Sequence, residues 1–411
     1  MANILVTNIS EILTLAPANK KEGRHIAEKD LGIAANQAMY AVNGRIEWLG
    51  PHKKIPKVLA KNKKIKEVSM KGQTVLPGFV ECHTHLVFAG HRAEEFELRN
   101  QGMSYQEISK RGGGILSTMK KTREISERAL LAKSQSRVDE FVSQGVTTLE
   151  IKSGYSLDLK NEIKMLKVIS KLQGPRVIAT FLGAHAKPPE FKTHTEYLRY
   201  LQDVVLPQIK KRKLASRVDI FVEKGFFEAE QSRQYLKAAK DLGFEVVVHA
   251  DQLTLSGGAD LCTDLGALSG DHLLQIGDRE INKLARSNVT CVLLPAADLY
   301  MKCAYPPARK LIEAGARVAL ATDFNPGTCP TQDLPLVGLL ARLEMRMTLP
   351  EVIAAYTVGA SYALNMSQEI GSLEVGKNAD FMCTNSSWQE AFYSAGSKFP
   401  TSIYKNGQLL R

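Results

Sequence analysis

At 411 residues, with 44% hydrophobic and 24% charged residues, the chain is longer than one small core needs, fits one large barrel plus a minor appendage, and is neither disordered nor fibrous in composition. Its formal net charge of +11 raises the question of nucleic acid, but the densest basic clusters, Lys53 to Lys66 and Lys210 to Lys213, carry no aromatic residues for base stacking and read as solvated surface. Asn8, Ser10 and Glu11 interrupt the apolar run from Ile4 to Leu15, and nowhere do about eighteen apolar residues run together, so neither an export signal nor a membrane span is expected.

Residues 1 to about 70 read as short β-type pieces, among them Asn3 to Thr7 and Arg45 to Leu49, separated by polar turns. The same texture returns in Ile370 to Thr384 and Thr401 to Leu410, where Asn406-Gly407 predicts a hairpin turn because both residues tolerate positive φ. The two ends are therefore expected to pair into one small β domain, built from 1–70 and 369–411.

Residues 71–368 alternate short apolar strands with longer stretches of helical period, the pattern of β/α units around a parallel sheet. Eight strands are predicted: Thr74 to Val80, Thr147 to Ile151, Arg176 to Phe181, Arg217 to Val222, Glu245 to His249, Gly266 to His272, Val289 to Leu294 and Arg317 to Thr322. Ser126 to Gln144 and Gln231 to Leu242 are long enough for crossover helices. Eight such units predict an α/β protein and favour a closed (β/α)8 barrel over an open sheet, although periodicity alone does not decide closure.

Five of the nine histidines fall at or just past a predicted strand end: His83, His85, His185, His249 and His272. A barrel gathers the C-terminal ends of its strands onto one face, so these imidazoles converge there. His83 and His85, two apart in an extended segment, point to one side and can share a divalent cation. His249 closes the apolar run Glu245 to Val248 and is read as a third ligand. Asp323 ends another buried strand, where a carboxylate needs a partner, a metal or a shifted pKa; it can ligate the metal, take a proton from water, or both. Lys152 and Glu223 are further polar strand ends. The six cysteines, Cys82, Cys262, Cys291, Cys303, Cys329 and Cys383, form no C-x-x-C pair, which excludes a zinc ribbon and fits a reducing cytoplasm.

Leu76-Pro77-Gly78-Phe79-Val80-Glu81-Cys82-His83-Thr84-His85, with His249 and Thr322-Asp323 on later strands, resembles the amidohydrolase superfamily. Gly112-Gly113-Gly114-Ile115, Glu150 to Tyr155, Thr180 to Ala186, His249-Ala250-Asp251, Asp271-His272-Leu273 and Ala321 to Gly327 are similar to the imidazolonepropionase family within it. The resemblance implies a metal-dependent hydrolase barrel with a small β-sandwich-like domain from both termini. It also implies hydrolytic opening of 4-imidazolone-5-propanoate to N-formimidoyl-L-glutamate in histidine degradation.

It further implies His83, His85, His249 and Asp323 as ligands of one metal, zinc or iron, because Asp219 to Glu223 offers no lysine for a carboxylated bridge between two. Asp323, His272 and Gln252 are the expected catalytic residues. Arg92, Tyr155, His185, Gln252, Asn325, Gly327 and Thr328 are the expected substrate contacts, with Arg92 suited to gripping a carboxylate. Many relatives carry an acidic residue where this chain has Gln252, which shifts proton transfer to Asp323. Another amidohydrolase activity, such as aminoimidazole or nucleobase deamination, is the alternative, and a non-catalytic barrel protein a more distant one. No nucleic-acid or membrane partner is expected, and a homodimer is left open.

Overall fold

The computed structural model describes residues 3–411 apart from 61, 63, 104–106, 109–111 and 398, so two positions of the lysine-rich Lys53 to Lys66 cluster lie outside the described residues. Its strands in chain order are β1 (Ile4–Leu13), β2 (Ile33–Val42), β3 (Arg45–Pro51), β4 (Lys66–Ser69), β5 (Thr74–Pro77), β6 (Phe79–Glu81), β7 (Val146–Lys152) and β8 (Arg176–Ala184). They continue with β9 (Arg217–Val222), β10 (Glu245–Ala250), β11 (Ser269–His272), β12 (Thr290–Leu293), β13 (Arg317–Leu320), β14 (Phe381–Thr384), β15 (Ser402–Lys405) and β16 (Gln408–Leu409).

Strands β6 to β13 form a parallel sheet in chain order, each paired with the next. A parallel bridge between Thr84 and Phe324 joins the two ends of this sheet, so the barrel closes. Strands such as β9 and β12 are buried on both faces, which is why they read in sequence as near-continuous apolar runs. The expected crossover helices form at Glu127–Ser143, capped by the Ser126 side chain, and at Ala229–Asp241.

The remaining strands make one mixed sheet from both termini, in the order β16-β15-β14-β5-β1-β2-β3 with β4 beside β1. Ala379 donates its N–H to the Gly44 carbonyl and Ile46 to that of Lys377, so the segment leading into β14 returns to the edge at β3. The sheet thus folds over an apolar cluster of its own that includes Ile4, Ile12, Met39, Val75 and Phe381. The hairpin at Asn406-Gly407 forms with φ of 50° and 69°.

Two predicted strands are corrected. Thr74 to Val80 is two strands in two sheets: β5 pairs with β1 and β14, and β6 pairs with β7. The chain crosses between the sheets at Gly78, where a Cβ would lie 2.2 Å from the Thr147 side chain; the apolar character continues through the break, so periodicity does not mark it. Gly266 to His272 begins only at Ser269, because Gly266 ends the preceding helix Gly258–Leu265 in a left-handed conformation (φ 60°). Among the described residues no helix is long and apolar enough to cross a membrane.

Candidate metal centre

Barrel closure assembles the site. Glu81, at the end of β6, accepts the backbone N–H of His83 at 3.2 Å and that of Thr322 at 3.1 Å. Asp323 in turn donates its N–H to the His83 carbonyl (3.2 Å), and His85 donates to that of Phe324 (2.9 Å). The first and last strands are therefore stitched together where three of the expected ligands leave them. Burial pushes the Glu81 carboxyl up to about 8.

His83 Nε2 and His85 Nε2 lie 3.4 and 3.3 Å from Asp323 Oδ1, and His249 Nε2 lies 3.3 Å from His85 Nε2. Four ligand atoms at zinc-like bond lengths around a tetrahedral centre stand about 3.3–3.4 Å apart. Nε2 of His83 is buried without a hydrogen-bond partner, as expected of a lone pair reserved for a cation. Burial, followed by the charge of Lys152, holds His83 well below the usual imidazole range, and burial does the same for His85. Neutral imidazoles are the form that ligates. Burial alone would raise the Asp323 carboxyl, but contact with His83 and the neighbouring imidazoles outweighs it and keeps the group ionised. The residues present therefore fit one divalent cation.

The far ring nitrogens face carboxylates. His83 Nδ1 lies 2.6 Å from Asp271 Oδ2, and His249 Nδ1 lies 2.9 Å from Asp219 Oδ2. Such partners fix which nitrogen turns to the metal. Asp219 and Asp271, like Glu81, are site residues that the sequence did not single out. A carboxylate on the buried face of an apolar strand is the signal that could have found them, because it must be paired.

A cavity opens at the strand ends, where small-molecule sites of barrels lie. His85, His249, His272 and Asp323 line it, together with Arg92, Tyr155, His185, Gln252, Asn325 and Thr328. Ile115, Phe221, Leu253 and Met301 complete its walls and carried no signal in the sequence. Burial pulls His272 down to about 4, so its ring is neutral near pH 7. His185 stacks on His85 (centroids 4.9 Å apart) with Nδ1 3.1 Å from the Gly154 carbonyl. Asp251, His272, Leu273 and Asp323 all have positive φ (51°, 79°, 59° and 56°), so uncommon backbone conformations cluster at this mouth.

Gly327 does not line the cavity. It lies against Arg92, whose backbone N–H donates to the Pro326 carbonyl at 3.2 Å. Asn325 spends its amide on its own loop: Oδ1 accepts from the N–H groups of Gly327 (2.9 Å) and Thr328 (2.8 Å), and Nδ2 donates to the Asp323 carbonyl (2.7 Å). Gln252 sits on a loop fixed from both sides. Glu223 accepts the N–H of Leu253 (2.8 Å) and Thr254 (3.2 Å) as well as the Thr254 hydroxyl, and the Asp251 carboxylate accepts from Ser256, Gly257, Gly258 and Ala259.

The amidohydrolase family model matches residues 74–410. The chain is 61% identical to an imidazolonepropionase of Bdellovibrio bacteriovorus over 98% of this chain and 96% of that one. It is 41% identical to an imidazolonepropionase of Geobacillus kaustophilus, over 100% and 98% of the two chains. Among solved structures it is similar to an adenosine deaminase from Xanthomonas campestris with bound zinc (TM-score 0.73, 17% identity, 99% of this chain and 92% of that one). It is also similar to an atrazine chlorohydrolase from Arthrobacter aurescens complexed with zinc (TM-score 0.70, 15% identity, 99% and 94%). At these identities the structural likeness speaks for the fold.

Proposed function

Because the chain belongs to the amidohydrolase family and, within it, to the imidazolonepropionases, we propose that it hydrolyses the ring C–N bond of 4-imidazolone-5-propanoate to N-formimidoyl-L-glutamate, a step of histidine degradation. The observation that carries this reading at the level of the site is the convergence of three imidazole nitrogens and one carboxylate oxygen beside a cavity that Arg92 also lines.

His83, His85, His249 and Asp323 would hold one divalent cation, zinc or iron, both of which suit imidazole ligands. Bound there, the cation supplies Lewis acidity and makes water ionisable near neutral pH. Asp323 accepts the proton that the attacking water gives up. It returns that proton to the ring nitrogen as the C–N bond breaks, so one carboxylate serves as base and then acid.

His272, neutral because buried, donates a hydrogen bond to the oxygen on which charge develops. His185 carries its proton on Nδ1, toward Gly154, which leaves Nε2 as an acceptor able to orient the ring. Arg92 grips the propanoate with its planar guanidinium and Tyr155 supplies a further contact. Gln252 holds water or substrate by hydrogen bonds, since a neutral amide relays no proton. Asn325 and Gly327 shape the loop that seats Arg92 and Thr328.

The purified enzyme, assayed against imidazolonepropanoate and a panel of aminoimidazoles and nucleobases, is expected to open the imidazolone ring. Release of ammonia from the panel with the imidazolone untouched would overturn the proposal.

A further inference from the structure

Lys152 ends β7 with its side chain inside the barrel, 1% exposed, and has no part in the chemistry above. Its Nζ lies 2.9 Å from Asp219 Oδ2, 3.2 Å from Glu150 Oε1 and 3.7 Å from Asp271 Oδ2. The two aspartate oxygens it approaches are the same ones that face the metal-binding imidazoles: Asp219 Oδ2 at His249 Nδ1 and Asp271 Oδ2 at His83 Nδ1. A single ammonium thus ties together two carboxylates that come from different strands and orient two different ligands.

We infer that Lys152 is a positioning residue of the metal centre, acting through Asp219 and Asp271 to hold His249 and His83 with Nε2 turned toward the cation. The inference rests on the ligand set proposed above. Three carboxylates from β7, β9 and β11 share this buried space. Without the ammonium they repel one another at short range in a medium of low dielectric. The two aspartates then lose their common anchor, and the imidazoles lose a fixed direction. Outer partners of this kind typically change metal affinity about 10–100-fold.

The test uses Lys152→Met, which keeps an unbranched side chain one atom shorter and removes the charge. The variant is expected to bind zinc at least about tenfold more weakly in a chelator competition. Loaded with cobalt(II), it should also show visible absorption bands shifted from wild type, because those bands report ligand geometry. A role confined to stabilising the fold would lower the melting temperature and leave the bands in place. Wild-type affinity with unshifted bands would overturn the inference.

If Lys152→Met does not fold, the triple variant Lys152→Met/Asp219→Asn/Asp271→Asn is compared with Asp219→Asn/Asp271→Asn. Equal zinc affinity of the two is expected for a residue acting through these two aspartates. A further tenfold loss in the triple variant would overturn the inference. Failure of the ligand set is read separately: it appears as full metal content in His249→Ala, whatever the Lys152 variants do.

Discussion

A Cβ added at Gly327 would lie 1.4 Å from Nη2 of Arg92, so the guanidinium rests on this glycine's backbone. Arg92 is 5% exposed and shares the cavity with Asp323 and Tyr155. The glycine is needed here for close approach. Gly327→Ala should push Arg92 off its seat and raise KM by about tenfold or more while sparing kcat and metal content, and Arg92→Ala should do the same more strongly. Steady-state kinetics with metal analysis checks both variants; an unchanged KM in Arg92→Ala removes it from the carboxylate site.

In the proposed mechanism the neutral amide at Gln252 leaves proton transfer to Asp323. Gln252→Glu restores an acidic group on a loop already fixed by Asp251 and Glu223. On this account kcat does not increase, because no acid or base is missing. A rise of about tenfold in kcat would show that proton transfer is short of a group in the native enzyme.

Glu223 is 1% exposed and holds two backbone N–H groups and a hydroxyl of the Leu253-Thr254 segment. Glu223→Ala leaves those donors without their acceptor, at about 1–3 kcal/mol for each one that stays buried. Activity should fall about 10–100-fold through displacement of Gln252 and Leu253, with metal fully retained. Loss of metal in this variant would mean that Glu223 supports the ligands as well.

Glu162 accepts the N–H groups of Gly154, Ser156 and Leu157 and so holds the turn that carries Tyr155. Burial raises its carboxyl above the usual carboxylate range in spite of those bonds. The folded protein therefore binds this proton more tightly than the unfolded chain does. The stabilisation is complete below the unfolded pKa, about 4.5, and is lost as pH rises through the higher folded value, at a slope of at most about 1.4 kcal/mol per pH unit. Glu162→Gln lacks this term, so its melting temperature relative to wild type should improve as pH rises above about 4.5. A difference that stays constant with pH would contradict the assignment.

The parts of the fold legible in the sequence were those that local chemistry determines. Runs such as Val246-Val247-Val248 announce buried parallel strands, and the histidine after such a run stands out because it needs a reason to be there. The step at Gly78 was invisible, since both strands it separates are equally apolar. The roles of Asp219 and Asp271 are not legible locally because they depend on residues far away in the chain: His249 and His83 give them their role, and only barrel geometry brings them within 3 Å. The left-handed conformations at Asp251, His272 and Asp323 were equally hidden, because no glycine marks them.

In the proposed mechanism ring opening depends on a cation held by His83, His85, His249 and Asp323. Metal content and imidazolonepropanoate hydrolysis, measured on the same samples of wild type and His249→Ala, test it most directly. About one equivalent of metal with activity is expected in wild type, and loss of both in the variant. Full metal content with retained hydrolysis in His249→Ala would contradict it.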